Sequence, residues 1–415
     1  MKKRWVWTGL ILLALVPRLL LIALRVSHGT GPEAFEFEDV VHNLLAGHGY
    51  MHLHHDTPYR SFHTAFPYVF LTALVYRLSG FSHPAMLVVQ SLAGGILAVV
   101  ACALGRRVGG GRAGWIAGVL VALHPGLVYY DTHKLHPLSI DALALASAVL
   151  ALSWWLTRPS LRRAALAGLL ASVAFLERAS FAPVMAASLI VLWSRVKEPP
   201  AVFKQAVVFL LCGSLLVGPW LLRNVRLHGR LILMTTSGEH LWRGNNPNAT
   251  GSSLTPEGDP ILERADPAFR AALLRRDELG QMDLFLSEAR RYIAQHPWRF
   301  VQNVSTRCLT FAWFGPMSGW RYPRSYLRAY QAYYVLVLAL AGVGLGSLWR
   351  RWARLDGGSR ITTALLVGTW LSVGLAQSLF YVEIRHRWAV ESLMLVLAAF
   401  GLMRLVVHPQ EPAVS

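Results

Sequence analysis

Four carboxylates, Glu33, Glu36, Glu38 and Asp39, stand within seven positions of a chain that holds only 22 acidic residues against 40 basic ones. They follow a long apolar run and lead into VVHNLLAGHGY. A carboxylate held at the edge of an apolar layer, beside a cavity, can take a proton from a hydroxyl or amine and so act as a general base. Acid also favours a helix N-terminus, and VVHNLLAGHGY reads as a short helix ended by Gly47. That accounts for part of the cluster. It leaves Glu33 and Glu36, one helical turn apart and on one face if the segment is helical.

The elements that must hold these acids are apolar. The hydrophobic fraction is 54% and the charged fraction 15%, against roughly 25% charged in soluble domains. Runs of bilayer-spanning length recur at about 6–26, 84–104, 113–130, 136–156, 163–177, 180–194, 203–222, 326–348, 361–380 and 388–406. The fold class is therefore an all-α polytopic membrane protein with about ten spans. The start, MKKRWVWTGLILLALVPRLLLIAL, has a basic end and no small-residue cleavage site, and reads as a retained first helix. Basic clusters (MKKR, GRRVGGGR, TRPSLRR, SRVKEPPAVFK and WRRWARLDGGSR) separate the runs. All five fall on the cytoplasmic side if both termini are cytoplasmic. The net charge of +18 is thus spent on topology, and nucleic acid is not an expected partner.

Three parts follow. Residues 1–222 form a first membrane module whose outer loop is 27–83, residues 223–325 form a polar outer segment, and 326–415 form the closing helices. The stretch AFPYVFLTALVYRLS (65–79) is short and carries Tyr68, Tyr76 and Arg77. It reads as an interfacial helix on the outer surface, since a crossing there would move GRRVGGGR outside. Within 223–325, LGQMDLFLSEARRYIAQ is amphipathic and Pro297 ends it. No internal repeat supports an inverted-repeat transporter. Cys102, Cys212 and Cys308 are too dispersed for a disulfide framework or a metal motif.

Three separated motifs resemble the C-type (GT-C) glycosyltransferases of the protein-mannosyltransferase and aminoarabinose-transferase kind. They are the acidic stretch with NLLAGHGY and PYRSFHTAFPYVFLTALVYRLSG, then PWLLRNVRLHGRLILMTTSGEHLWRGNNPNATG (219–251), then EIRHRWAVESLMLVLAAFG (383–401). EARRYIAQHP (288–297) adds a fourth piece in the outer segment. The resemblance implies a GT-C-like fold with a small outer domain. It also implies transfer of a sugar from a polyprenyl-phosphate carrier to a lipid, glycan or protein acceptor. The reaction would take place at the outer face of the cytoplasmic (inner) membrane.

By the same resemblance, Glu36 or Glu33 stands at the catalytic acid position and Asp131 of LVYYDTHKLHP at a second acidic position. A departing lipid phosphate needs positive charge, and planar Arg forks suit it. Arg178 of AFLERASFAP is one candidate, with a structural Glu177–Arg178 pair as the alternative. Arg385 and Arg387, outward basic residues at the mouth of the last helix, are two more, with anchoring to headgroups as the alternative. Asn245 and Asn246 of GNNP either shape the loop or contact substrate. Arg223 and Asn224, ending the seventh span at the same surface, are open in the same way.

The first outer loop also holds His42, His48, His52, His54, His55, His63 and Asp56. MHLHHD has the ligand chemistry for zinc or another divalent ion. No helical i, i+4 pair sharpens it, and ordinary polar loop residues are the plainer reading. Two rival functions share this architecture: a transporter or flippase of a lipid-linked glycan, and a glycan polymerase or ligase. The first predicts polar residues along a whole path through the spans, whereas here they gather at the outer end.

Overall fold

The computed structural model describes residues 3–62, 66–196, 198–315 and 322–406. The chain opens with α1 (Lys3–Ser27), runs through a two-residue strand β1 (Glu33–Ala34), and enters α2 (Glu36–Leu45). A hairpin of β2 (His52–His54) and β3 (Thr57–Tyr59) follows, then α3 (Phe66–Ser79). Next come α4 (His83–Ala122), α5 (Pro125–His133), β4 (Lys134–Leu135), α6 (Leu138–Thr157), α7 (Leu161–Glu177), α8 (Ala182–Arg195) and α9 (Pro199–His228). The outer segment carries α10 (Ser237–Gly244), α11 (Pro267–Leu274), α12 (Glu278–Gln295) and α13 (Pro297–Ala312). The chain then closes with α14 (Arg324–Arg350), α15 (Gly357–Ser378) and α16 (Ile384–Val406).

Among the described residues, seven helices are long and apolar enough to cross a membrane: α1, α4, α6, α9, α14, α15 and α16. The expected count of about ten is thus not reached: the expected run 84–104 and the first part of 113–130 fall within the single helix α4, as its two arms. Gly109 and Gly110 break α4, Gly110 at φ +81°. Its arms fold back against each other so closely that a Cβ on Gly105 would lie 2.8 Å from the Cα of Gly114. Small residues let two backbones meet this way in an apolar medium. The helices α7 and α8 occupy the expected runs 163–177 and 180–194 but are shorter than those seven, at 17 and 14 residues. One boundary moved: the expected run 113–130 stops at Ala122, because His124 caps a new helix that Pro125 opens.

The last helix is the centre. From Trp388 to Gly401 of α16 every residue is buried, against α14, α4, α6 and α15. The basic loops gather at one end of the bundle. Arg107 of the α4 break donates to Ser153 and Thr157 of α6 and to Thr362 of α15. Arg106 lies over the Trp7 ring, and Arg195 approaches Gly357. The acid-rich loop and the outer segment lie at the other end. There α3 buries Tyr68, Val69 and Tyr76 and exposes Phe70, Leu74 and Leu78, an apolar stripe at helical spacing. Glu278–Gln295 is the expected amphipathic helix, and Pro297 both follows its end and opens α13. Trp242, Ile261, Leu273 and Phe285 form a small separate core for this outer segment.

Candidate active site

The four acids of the opening cluster part company in the structure. Glu33 is not helical: it belongs to β1, paired in parallel with β4, and its carboxylate bonds Lys134 Nζ. It therefore does not share a helix face with Glu36. Glu38 accepts from the Tyr76 hydroxyl (2.6 Å) and lies 2.7 Å from His83 Nε2. Asp39 lies 3.3 Å from His52 Nδ1. Glu36, the first residue of α2, lines a cavity of about 480 Å³.

Five separate parts of the chain converge on that cavity. Besides Glu36, its wall includes His136, Asp141 of α6, Glu177 ending α7 and Arg178 after it, His240 of α10, Tyr381 before α16, and Arg385 and His386 in its first turn. Arg178 is a fork on Asp141, with Nη2 at 2.5 Å and Nε at 3.0 Å from Oδ2. The Glu177–Arg178 pair, the alternative reading of this position, does not form among the described residues. Glu177 Oε1 instead accepts the Tyr68 N–H at 3.2 Å, and its buried Oε2 has no hydrogen-bond partner among the described residues. Arg385 Nε lies 3.0 Å from Glu383, which accepts from Ser253 of the outer segment at 2.5 Å. Both arginines keep part of their side chains accessible, 15% and 16%.

Two of the imidazoles, His136 and His386, are set up as neutral donors. Nδ1 of His136 accepts the Leu138 N–H at 3.2 Å, which places the ring proton on Nε2. Burial, helped by the Arg385 charge, holds His136 well below the usual imidazole value. Nδ1 of His386 accepts the Glu383 N–H in the same way. The arrangement thus joins anionic acceptors, two guanidinium groups and neutral imidazoles around one space. That set can accept a proton and neutralise a departing phosphate.

Several expected site residues lie elsewhere. Asp131 is buried in the bundle, 2.8 Å from Arg18 Nε, and does not line the cavity. Arg387 sits two residues from Arg385 on α16, so it points away from it. It donates to the Phe311 and Trp313 carbonyls, packs 3.8 Å over the Tyr334 ring and lies 3.5 Å from Glu391. Arg223 clasps the first loop through the Arg60 and Tyr50 carbonyls and stacks on Trp220. Asn224 accepts from Ser61 and donates to the Ile232 carbonyl. Asn245 bonds the Leu241 and Leu379 carbonyls, and Asn246 those of Trp242 and Arg243. The GNNP turn therefore locks α10 to α15. A Cβ on Gly244 would lie 1.5 Å from the Phe380 oxygen.

Asp141, His240 and His386 are lining residues that sequence reasoning missed, while Glu177 entered it only as a partner for Arg178 and His136 only as a histidine near Asp131. Asp141 had a visible signal, an acid in the apolar run LSIDALALASAVL. Among the loop histidines, His42 stacks on Phe81 and His48 lies near Asn43, while His63 lies outside the described residues.

Residues 63–221 match the family model described as dolichyl-phosphate-mannose-protein mannosyltransferase. An oligosaccharyltransferase of Archaeoglobus fulgidus in its apo form superposes with a TM-score of 0.54 over 97% of this chain, at 13% identity. The fold is that of the C-type glycosyltransferases. A second structure of the archaeal enzyme, AglB in complex with an inhibitory peptide and a dolichol-phosphate, gives 0.53 over 96% at 12% identity. The chain spans about half the length of both (50%). ArnT of Cupriavidus metallidurans bound to undecaprenyl phosphate aligns over 97% of this chain and 77% of its own, with 16% identity and a TM-score of 0.44. No curated protein matches by sequence. In this C-type fold the cavity lies at the loop-rich end of the bundle, between the loop that leads into Glu36 and the head of α16.

Proposed function

We propose that the chain is a membrane glycosyltransferase that moves a sugar from a polyprenyl-phosphate carrier to an acceptor at the outer face of the cytoplasmic membrane. The observation that carries this is that Glu36, Arg178 and Arg385 line one cavity at the end of the bundle opposite the basic loops. By the tendency of basic loops to stay inside, that end faces out and both termini lie in the cytoplasm. The archaeal structure of the same fold that holds a dolichol-phosphate supports the choice of donor.

Glu36 is the base in this reading. Its carboxylate takes the proton of the acceptor hydroxyl or amine, the freed electron pair attacks C1 of the sugar, and the C1–oxygen bond to the lipid phosphate breaks. Attack opposite the leaving phosphate in a single displacement inverts C1. Arg385 and Arg178 take up the charge that grows on the departing phosphate. Asp141 holds the Arg178 fork in place. Glu33, engaged by Lys134, ties the loop that carries Glu36 to the strand before His136.

The test is release of polyprenyl phosphate by the purified chain from a polyprenyl-phosphate sugar, compared for Glu36→Gln and Glu33→Gln. Glu36→Gln should lose at least a hundredfold in turnover, the usual scale of a general base, and Glu33→Gln far less. Full turnover in Glu36→Gln removes the assigned base. Donor binding and turnover both absent in the parent chain would refute the donor.

A further inference from the structure

The hairpin of β2 and β3 turns through His55 and Asp56, both left-handed at φ +47° and +57°. Two positive φ values in a two-residue hairpin loop define a type I′ turn, which favours Asn-Gly. A histidine there is disfavoured, and such conformations persist where the surroundings impose them. The geometric result is specific. Successive strand side chains point to opposite faces, yet the turn swings the His55 ring back beside His54, centroids 3.8 Å apart. Both rings then meet Glu239 of α10, which is 185 residues from His54. His54 Nε2 lies 2.8 Å from Glu239 Oε2, and His55 Nε2 lies 3.5 Å from Oε1. His55 Nε2 is buried and makes no hydrogen bond among the described residues.

We infer that His54, His55 and Glu239 form a zinc-class divalent cation site, separate from the sugar-transfer cavity. The ligand atoms lie within 4.8 Å of one another. Ligands about 2.0–2.2 Å from zinc at a tetrahedral centre stand about 3.3 Å apart, so small side-chain shifts seat the ion. Two imidazoles and a carboxylate suit zinc and leave a fourth position open. That position faces a cleft of about 450 Å³ whose wall includes Ser253 and Arg270. Arg243 donates to Glu239 Oε1 at 2.7 Å and fixes the carboxylate from behind, the usual outer support of a metal ligand. The ion would pin the first outer loop to α10, whose next residue, His240, lines the sugar-transfer cavity. Asp56, although part of the same sequence motif, is not among the ligands.

The test uses the full chain in detergent, stripped with chelator and re-equilibrated with zinc chloride, with metal counted by mass spectrometry and cobalt chloride as the optical probe. One zinc per chain and tetrahedral cobalt bands are expected. His54→Ala, His55→Ala and Glu239→Gln should each weaken zinc binding at least a hundredfold, while His48→Ala leaves it unchanged. His54→Cys keeps a zinc ligand but loses the imidazole hydrogen bond to Glu239. It should retain zinc and add a thiolate-to-cobalt band, which a purely structural His54 would not produce. Failure of the parent chain to retain zinc, or unchanged zinc content in the alanine variants, overturns the site. None of these readouts depends on transfer activity.

Discussion

The pair of Arg18 and Asp131 offers a decision between chemistry and architecture. Arg18 is fully buried and Asp131 is 1% exposed. Nη1 of Arg18 also holds the Ala14 and Ala122 carbonyls, at 2.9 and 2.7 Å. Asp131→Asn keeps the shape and removes the counter-charge, leaving a buried guanidinium uncompensated. Breaking a buried pair on one side costs about 3–5 kcal/mol, or roughly two to three and a half orders of magnitude in the folded-to-unfolded ratio. Arg18→Met with Asp131→Leu removes both charges and should return to within about 2 kcal/mol of the parent. The residual is the unbonded Ala122 carbonyl, since a buried acceptor left alone costs about 1–3 kcal/mol. Gly94 gives an independent handle, because a Cβ there would lie 2.9 Å from Asp131 Oδ2 and 3.2 Å from Arg18 Nε. Gly94→Ala should therefore destabilise in the same direction. The assay is denaturing-detergent titration followed by the fluorescence of the 15 tryptophans, with turnover measured where every variant is folded. The double variant should keep transfer. Asp131→Asn with parental stability and a hundredfold loss of turnover would refute the structural role and restore Asp131 to the chemistry.

Arg178→Ala and Arg385→Ala should each weaken polyprenyl phosphate binding about ten- to hundredfold, the worth of a charge-assisted hydrogen bond; parental affinity by calorimetry in either variant would rule that residue out as a phosphate ligand. Gly244→Ala should destabilise by about 3 kcal/mol, the upper end of overpacking, read as a lowered melting temperature. His136 is held below its unfolded value near 6.5. Under neutral conditions it therefore costs nothing, and as pH falls below about 6.5 the unfolded chain binds a proton that the folded chain refuses. Stability should drop by up to about 1.4 kcal/mol per pH unit from this group, and His136→Gln should flatten the profile between about pH 6.5 and 5. An unchanged slope in that variant would mean that His136 takes up its proton equally in the folded and unfolded chain, and would refute the shift.

The helices were legible because apolar length and basic loops are local signals, and GRRVGGGR marks the break at Gly109 and Gly110. The cavity residues were legible where charge stood out, as at Arg178 in an apolar stretch, Glu36 in the acidic cluster and Arg385 among outward basic residues. Spacing misled twice. Glu33 and Glu36 look one helical turn apart, but β4 recruits Glu33 into a strand across about a hundred residues, and no local pattern announces that pairing. Arg385 and Arg387 look like one cluster, yet residues two apart on a helix lie about 200° apart around its axis. One reaches the cavity and the other a buried nest of aromatic rings and carbonyls. Asp141 was passed over because Glu177 stood next to Arg178 in sequence, whereas the fork closes on the acid 37 residues away.

The cavity wall draws on residues from Glu36 to His386, and this has a meaning for biosynthesis. Arg178 leaves the ribosome 207 residues before Arg385, which at 5–20 residues per second is roughly 10–40 s. Through that interval the nascent chain sits in the bilayer, among the lipids proposed as its donor, without its second guanidinium. Insertion of α16 both fills the bundle's centre and delivers Arg385. A half-made chain therefore has an incomplete pocket, and commitment to the lipid substrate is deferred until the final helix has been threaded into place.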